Sequence, residues 1–223
     1  MNFLSHFYFD RNCNDAYHVL GSVMPDLLRN ADKEAQLKIE RLPAQTDPVI
    51  NSIISGWKKH LEIDRHFHSS DFFKTHAHQL KLLFVPALAG SEVKPFFLGH
   101  IALELILDNL LLTNRTVFAD DFYDHLKNVE TKNICAFLEL NQVHPQKFLN
   151  FYASFIYEKY LYSYMQLDSV VHALRGVCQR IWKKPFSKIQ EQAVIEVVKY
   201  YTNILAADFM QIFNEMEDFL VEN

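Results

Sequence analysis

The sequence predicts an all-α fold, a single-domain helical bundle. Three observations carry that prediction. The 223 residues include only 5 Gly and 7 Pro, too few for the turns of a sandwich or barrel. Apolar residues recur at intervals of three and four along most of the chain, as on one face of a helix. Helix-start signals head several of these segments, among them Asp47–Pro48, Ser69–Ser70–Asp71 and Pro185–Phe186–Ser187.

Taken in order, Met1–Phe9 is short, apolar and aromatic, and fits a strand or the first turns of a helix. Asn14 or Asp15 caps a helix through Val23 with Gly21 inside it, and Pro25 bends or restarts it. Asn30–Thr46 is polar, part loop and part short helix. Asp47–Pro48, an N-cap followed by Pro, opens a helix to about His68 with Ile50, Ile53, Ile54, Trp57, Leu61 and Phe67 on its apolar side. Ser69–Ser70–Asp71 caps Phe72–Phe84, Pro86–Gly90 turns the chain, and Ser91 caps a helix continuing to Leu112. Further helices are expected over Thr116–Val129, Lys132–Leu140, Gln146–Tyr164 and from Asp168 to about Trp182. The last and longest is Lys188–Leu220. No repeat, low-complexity segment or Pro/Gly-rich linker divides the chain, so residues 1–223 are expected to form one domain.

Composition removes several function classes. At 49% hydrophobic and 22% charged the chain is ordinarily globular. A net charge of −5 argues against a general nucleic-acid binder. Cys13, Cys135 and Cys178 are isolated and odd in number, so neither a disulfide framework nor a structural zinc site is expected. The start, MNFLSHFYFDRN, has no basic segment of a signal peptide. Polar residues interrupt every long apolar run, so no membrane span is expected and the protein is read as soluble and cytoplasmic. There is no Walker A phosphate loop, HExxH or GxSxG motif.

What remains is an excess of histidine. Eight of the 11 His lie in the first 100 residues. The run Phe96–Leu112 is apolar except for His100, Glu104 and Asp108, spaced at four. On a helix such a trio spans an arc of about 80°, one face. A helix apolar over most of its surface is buried, and buried carboxylates need a partner or a metal. A second stripe, His60, Asp64 and His68, recurs in KKHLEIDRHFH. Two such helices side by side make a metal site, and imidazole with carboxylate suits Mn, Fe or Zn. The competing reading gives Glu104 an arginine partner and leaves the Asp64 stripe as a polar surface. A third cluster, GSVMPDLLRN, offers Asp26 and Arg29 near a helix break, as a ligand and a phosphate contact or as a cap and a surface cation. His76 and His78 sit on different faces and read as solvated. The tyrosines of 152–164 read as core and interface.

Four segments in order, MNFLSH, GSVMPDLLRN, GWKKHLEID and ELILDNLL, resemble the motifs of bacterial acyl carrier protein phosphodiesterases over about residues 1–112. The second half is similar only in its helical character. The resemblance implies an all-helical, HD-domain-like fold and a divalent metal, typically Mn2+, with Mg2+, Fe2+ or Zn2+ as alternatives. It implies hydrolysis of the phosphodiester joining 4′-phosphopantetheine to a serine of acyl carrier protein, the expected partner. By motif position, His6, Asp26, His60, Asp64, Glu104 and Asp108 become candidate metal or catalytic residues, and Arg29 a phosphate contact. The full candidate set is then His6, Asp64 and Arg29 as catalytic residues, and Asp26, His60, Asp64, His68, His100, Glu104 and Asp108 as metal ligands. Lys58, Lys59 and Arg65 are expected near the mouth, facing an acidic partner. Departures from the family pattern are Ser22 for Asn, Leu61 for Arg, His68 for Asp, Glu104 for Asp and Asn109 for His. His100 has no counterpart. The alternative function is a catalytically inactive helical binding or scaffold protein with a salt-bridged polar core.

Overall fold

The structure is a computed structural model and describes residues 1–35, 37–39, 42 and 45–222. Its regular elements are helices: α1 (Phe3–Tyr8), α2 (Ala16–Ala31), α3 (Pro48–Ser69), α4 (Asp71–Ala87), α5 (Pro95–Thr113), α6 (Ala119–Lys127), α7 (Thr131–Leu140), α8 (Gln146–Glu158), a 3₁₀ helix (Tyr160–Met165), α9 (Leu167–Gln179), α10 (Lys188–Leu205) and α11 (Met210–Glu222). No strand occurs among the described residues. The all-α expectation holds. The expectation for Asn30–Thr46 falls in part outside the described residues.

Several element boundaries differ from the sequence reading, each for a physical reason. The opening segment is the helix α1. Asp15 caps α2, its side chain accepting from the Tyr17 and His18 N–H groups. The helix then continues through Pro25 to Ala31. A proline inside a helix costs about 3 kcal/mol, and each fully buried large apolar side chain returns about 1.5–3. Val23, Met24, Leu27 and Leu28 are buried on both sides of Pro25, so packing outweighs the missing bond. Ser91 does not cap α5. Its hydroxyl donates to Pro185 O (2.7 Å), and α5 begins at Pro95 after Lys94. The helix from Gln146 stops at Glu158 because the apolar phase of Phe148, Tyr152 and Phe155 meets Lys159, which turns left-handed (φ 50°). Leu161 and Tyr164 then use the three-residue period of the 3₁₀ helix to reach the core. Asp168 lies in the first turn of α9, after the cap Gln166. The expected helix Lys188–Leu220 is broken at residues 206–209 into α10 and α11.

Backbone contacts divide the chain into two compact units. Unit 1 comprises Met1–Ser5, Arg65–Thr116 and Leu161–Asn223, and unit 2 comprises His6–Asp64 and Val117–Tyr160. In unit 1, α5 packs on α4, α9 and α10. Gly99 of α5 permits close approach to α4, where an added Cβ would lie 2.9 Å from Ala77 O. By length and composition α5 would serve as a membrane span, but 67% of its most apolar window is buried, as in a core helix. In unit 2, α2 packs on α6 and α8, and Tyr17 ties it to α7 by accepting from Asn133 Nδ2 (2.6 Å). The helices α2 and α3 meet backbone to backbone. A Cβ added at Gly21 would lie 2.2 Å from Ile53 O, and one at Gly56 would lie 2.0 Å from His18 O.

Candidate functional site

The glycine contact between α2 and α3 builds the first cluster. Gly56 lies one turn before His60, so the close crossing sets His60 against α2. His60 Nδ1 lies 2.9 Å from Ser22 O. A carbonyl only accepts, so Nδ1 carries the proton and Nε2 keeps its lone pair. The His6 ring of α1 stacks on His60 with centroids 3.9 Å apart. Asp26 of α2 completes the group. One ligand atom each from His6, Asp26 and His60 lies within 4.8 Å of the others. His6 and His60 are buried and Asp26 is half-buried.

A part-buried ion pair is made by Lys59, the residue before His60. Lys59 Nζ donates to Asp10 Oδ1 and to Phe9 O (2.8 Å). His18 Nε2 is 3.4 Å from the same Asp10 oxygen. Burial pushes the Asp10 carboxyl up, but His18 and Lys59 outweigh it and hold it below the usual range. Lys59 is therefore turned inward and not toward a partner, whereas Lys58 and Arg65 are exposed. Sequence reasoning passed over Asp10. Its one signal is an acidic residue closing an aromatic, apolar stretch.

The second cluster belongs to unit 1. His68, in the last turn of α3, meets His100 and Glu104 of α5. The two Nε2 atoms are 3.0 Å apart, and Glu104 Oε1 lies 2.9 Å from His100 Nε2 and 3.3 Å from His68 Nε2. The Met1 ammonium is 3.4 Å from the same oxygen. Burial pushes Glu104 up, but the ammonium and the two imidazoles hold it well below the carboxylate range.

The remaining candidates are members of neither group. Asp108 is engaged by the N-terminal segment: Asn2 Nδ2 (2.9 Å), Leu4 N (3.2 Å), Ser5 N (2.8 Å) and Ser5 Oγ (2.7 Å) all donate to its carboxylate. It caps α1 from another helix. Burial raises its carboxyl to about 6, only partly offset by Ser5 and Leu4. Asn109 donates to Tyr164 O (2.6 Å). Asp64 is half-buried, one turn after His60. Arg29 is exposed in the last turn of α2, three residues after Asp26. His76 is not solvated as expected: its Nδ1 donates to the Tyr201 hydroxyl (2.8 Å), which donates on to Gln79 Oε1 (2.7 Å). The tyrosines divide, with Tyr152 and Tyr164 buried and Tyr157 88% exposed.

Both clusters offer two imidazoles and one carboxylate, a donor set that suits Mn, Fe or Zn. The sequence profile of acyl carrier protein phosphodiesterase matches residues 1–216, nearly the whole chain. The chain belongs to that family. Membership extends the resemblance of residues 1–112 into the second half, which carries no motif of its own. No curated protein and no solved structure matches the chain. Within an acyl carrier protein phosphodiesterase, the first cluster draws one residue from each of the first three motifs: His6, Asp26 and His60. The second draws on two of the departures, His68 and Glu104, and on His100.

Proposed function

We propose that the protein is a cytoplasmic, metal-dependent phosphodiesterase that hydrolyses the link between 4′-phosphopantetheine and a serine of acyl carrier protein. The observation that carries this reading is the convergence of His6, Asp26 and His60 from three helices, with the His60 tautomer fixed by Ser22 O. These three residues would hold the ion, with Mn2+ the first choice among divalent metals. When bound, it supplies positive charge beside the phosphoryl group and makes a nearby water more acidic.

The chain's own residues do the rest. Arg29 holds a phosphoryl oxygen with its guanidinium. Asp64, on the His60 face of α3, accepts the proton that water releases as its oxygen bonds to phosphorus. The bond from phosphorus to the serine oxygen breaks, and Asp64 returns the proton to that oxygen, so it leaves as the hydroxyl. The products are 4′-phosphopantetheine and the apo carrier protein. Lys58 and Arg65 face an acidic partner across the surface of α3.

The test is hydrolysis of holo acyl carrier protein and of bis(p-nitrophenyl) phosphate by the purified protein, before and after a chelator, with manganese added back. Chelation is expected to lower the rate at least 100-fold and manganese to restore it. Asp26→Ala and His60→Ala are expected to abolish turnover while circular dichroism stays unchanged. Activity on neither substrate, with all variants folded, would sink this reading in favour of a metal-free helical binding protein. Activity on the generic diester alone would keep the chemistry and remove the carrier protein.

A further inference from the structure

We propose that His68, His100 and Glu104 form a second divalent-metal site, which staples the end of α3 to α5. It is separate from the His6–Asp26–His60 group in residues and does not depend on the phosphodiesterase reading. Ligands 2.0–2.2 Å from a shared ion, at neighbouring positions around it, stand about 3 Å from one another. The three pairs among His68 Nε2, His100 Nε2 and Glu104 Oε1 measure 3.0, 3.3 and 2.9 Å.

The aim of the trio points the same way. Both Nε2 atoms, 3.0 Å apart, converge on the same Glu104 oxygen, and an imidazole protonated at Nδ1 offers an ion its Nε2 lone pair. An ion at their common focus uses both lone pairs and the carboxylate together. The arrangement is also pre-set. His100 and Glu104 are one turn apart on α5, so one helix face aims both. Phe73 of α4 lies edge-on to both imidazoles, its centroid 4.7 Å from His68 and 4.9 Å from His100, fixing the rings and shielding the site. The side chains of His68, His100 and Glu104 are 29%, 39% and 13% exposed, so an ion can enter without unfolding. Two imidazoles favour zinc, cobalt or nickel over magnesium or calcium. The Met1 ammonium lies 3.4 Å from Glu104 Oε1 and is the cation an ion would displace or join.

The experiment uses the full chain stripped by a chelator and titrated with zinc in a calorimeter. Melting temperature is followed by circular dichroism, and cobalt(II) absorption reports imidazole ligation. His100→Ala and His68→Gln are expected to lose one zinc equivalent, weakened about 100-fold or more, the upper end of what loss of an outer partner costs. Both should also lose the zinc-induced rise in melting temperature and the matching cobalt band. His60→Ala should keep all three. If folded His100→Ala and His68→Gln bind zinc as the wild type does, or if the wild type takes up no zinc, the proposal is overturned. Phosphodiester hydrolysis is scored separately, so an inactive protein that keeps this equivalent refutes only the phosphodiesterase reading.

Discussion

Asp108 and Lys59 show how single side chains frame the candidate sites without belonging to either cluster. Asp108 gathers Asn2, Leu4 and Ser5, and its removal strands buried N–H groups. Asp108→Ala is expected to lose about 1–3 kcal/mol in urea unfolding for each donor left without a partner in the core. Its pH dependence has a definite sign. The folded carboxyl sits at about 6, above its usual 3.8, so its contribution is complete below 3.8 and is lost as pH rises through 6. The advantage of Asp108 over Asn should therefore shrink between those values in unfolding curves for wild type and Asp108→Asn. Asp10 behaves oppositely. Its folded value is depressed, so its contribution is present above the usual 3.8 and is lost as pH falls through the lower folded value. Lys59→Met leaves that carboxylate with His18 as its remaining charged partner, a loss of about 1–3 kcal/mol at neutral pH that fades in acid. Residue types were legible in the sequence, but their engagements were less so. Nothing in the spacing of Asp108 shows that its partner is backbone from the start of the chain.

At the scale of the helix, the stripes explain both what the sequence reveals and what it conceals. A repeat of four drifts by about 40° per step, and eight residues climb about 12 Å. The two ends of such a stripe therefore address different neighbours. His60 meets Ser22 and His6, while His68 meets His100 and Glu104. On α5, His100 and Glu104 face His68, but Asp108 faces the N-terminal segment. Two aligned stripes were legible, but the partition of their members was not, because it depends on crossings. The α2–α3 crossing rests on Gly21 and Gly56. Gly56→Ala places a Cβ against His18 O and is expected to cost about 1–3 kcal/mol and to weaken metal binding at His60, measured by urea unfolding and metal titration. The division between α10 and α11 was hidden for another reason. Leu205, Phe209, Ile212, Phe213 and Met216 are all buried and keep one helical phase across the break, so periodicity carries no mark of it.

For the molecule as a whole, the helical class was legible from composition and periodicity because both are local properties. The two units were not, since each is assembled from segments distant in sequence and no linker marks a passage between them. The departure at Ser22 illustrates how such a chain can vary. The acceptor for His60 belongs to the main chain, so no substitution at position 22 removes it unless the helix itself moves. Evolution is free to exchange that side chain while the imidazole keeps the same proton on the same nitrogen. The feature that sets the chemistry is thus inherited through the path of the backbone, and a comparison of side-chain letters at that position is blind to it.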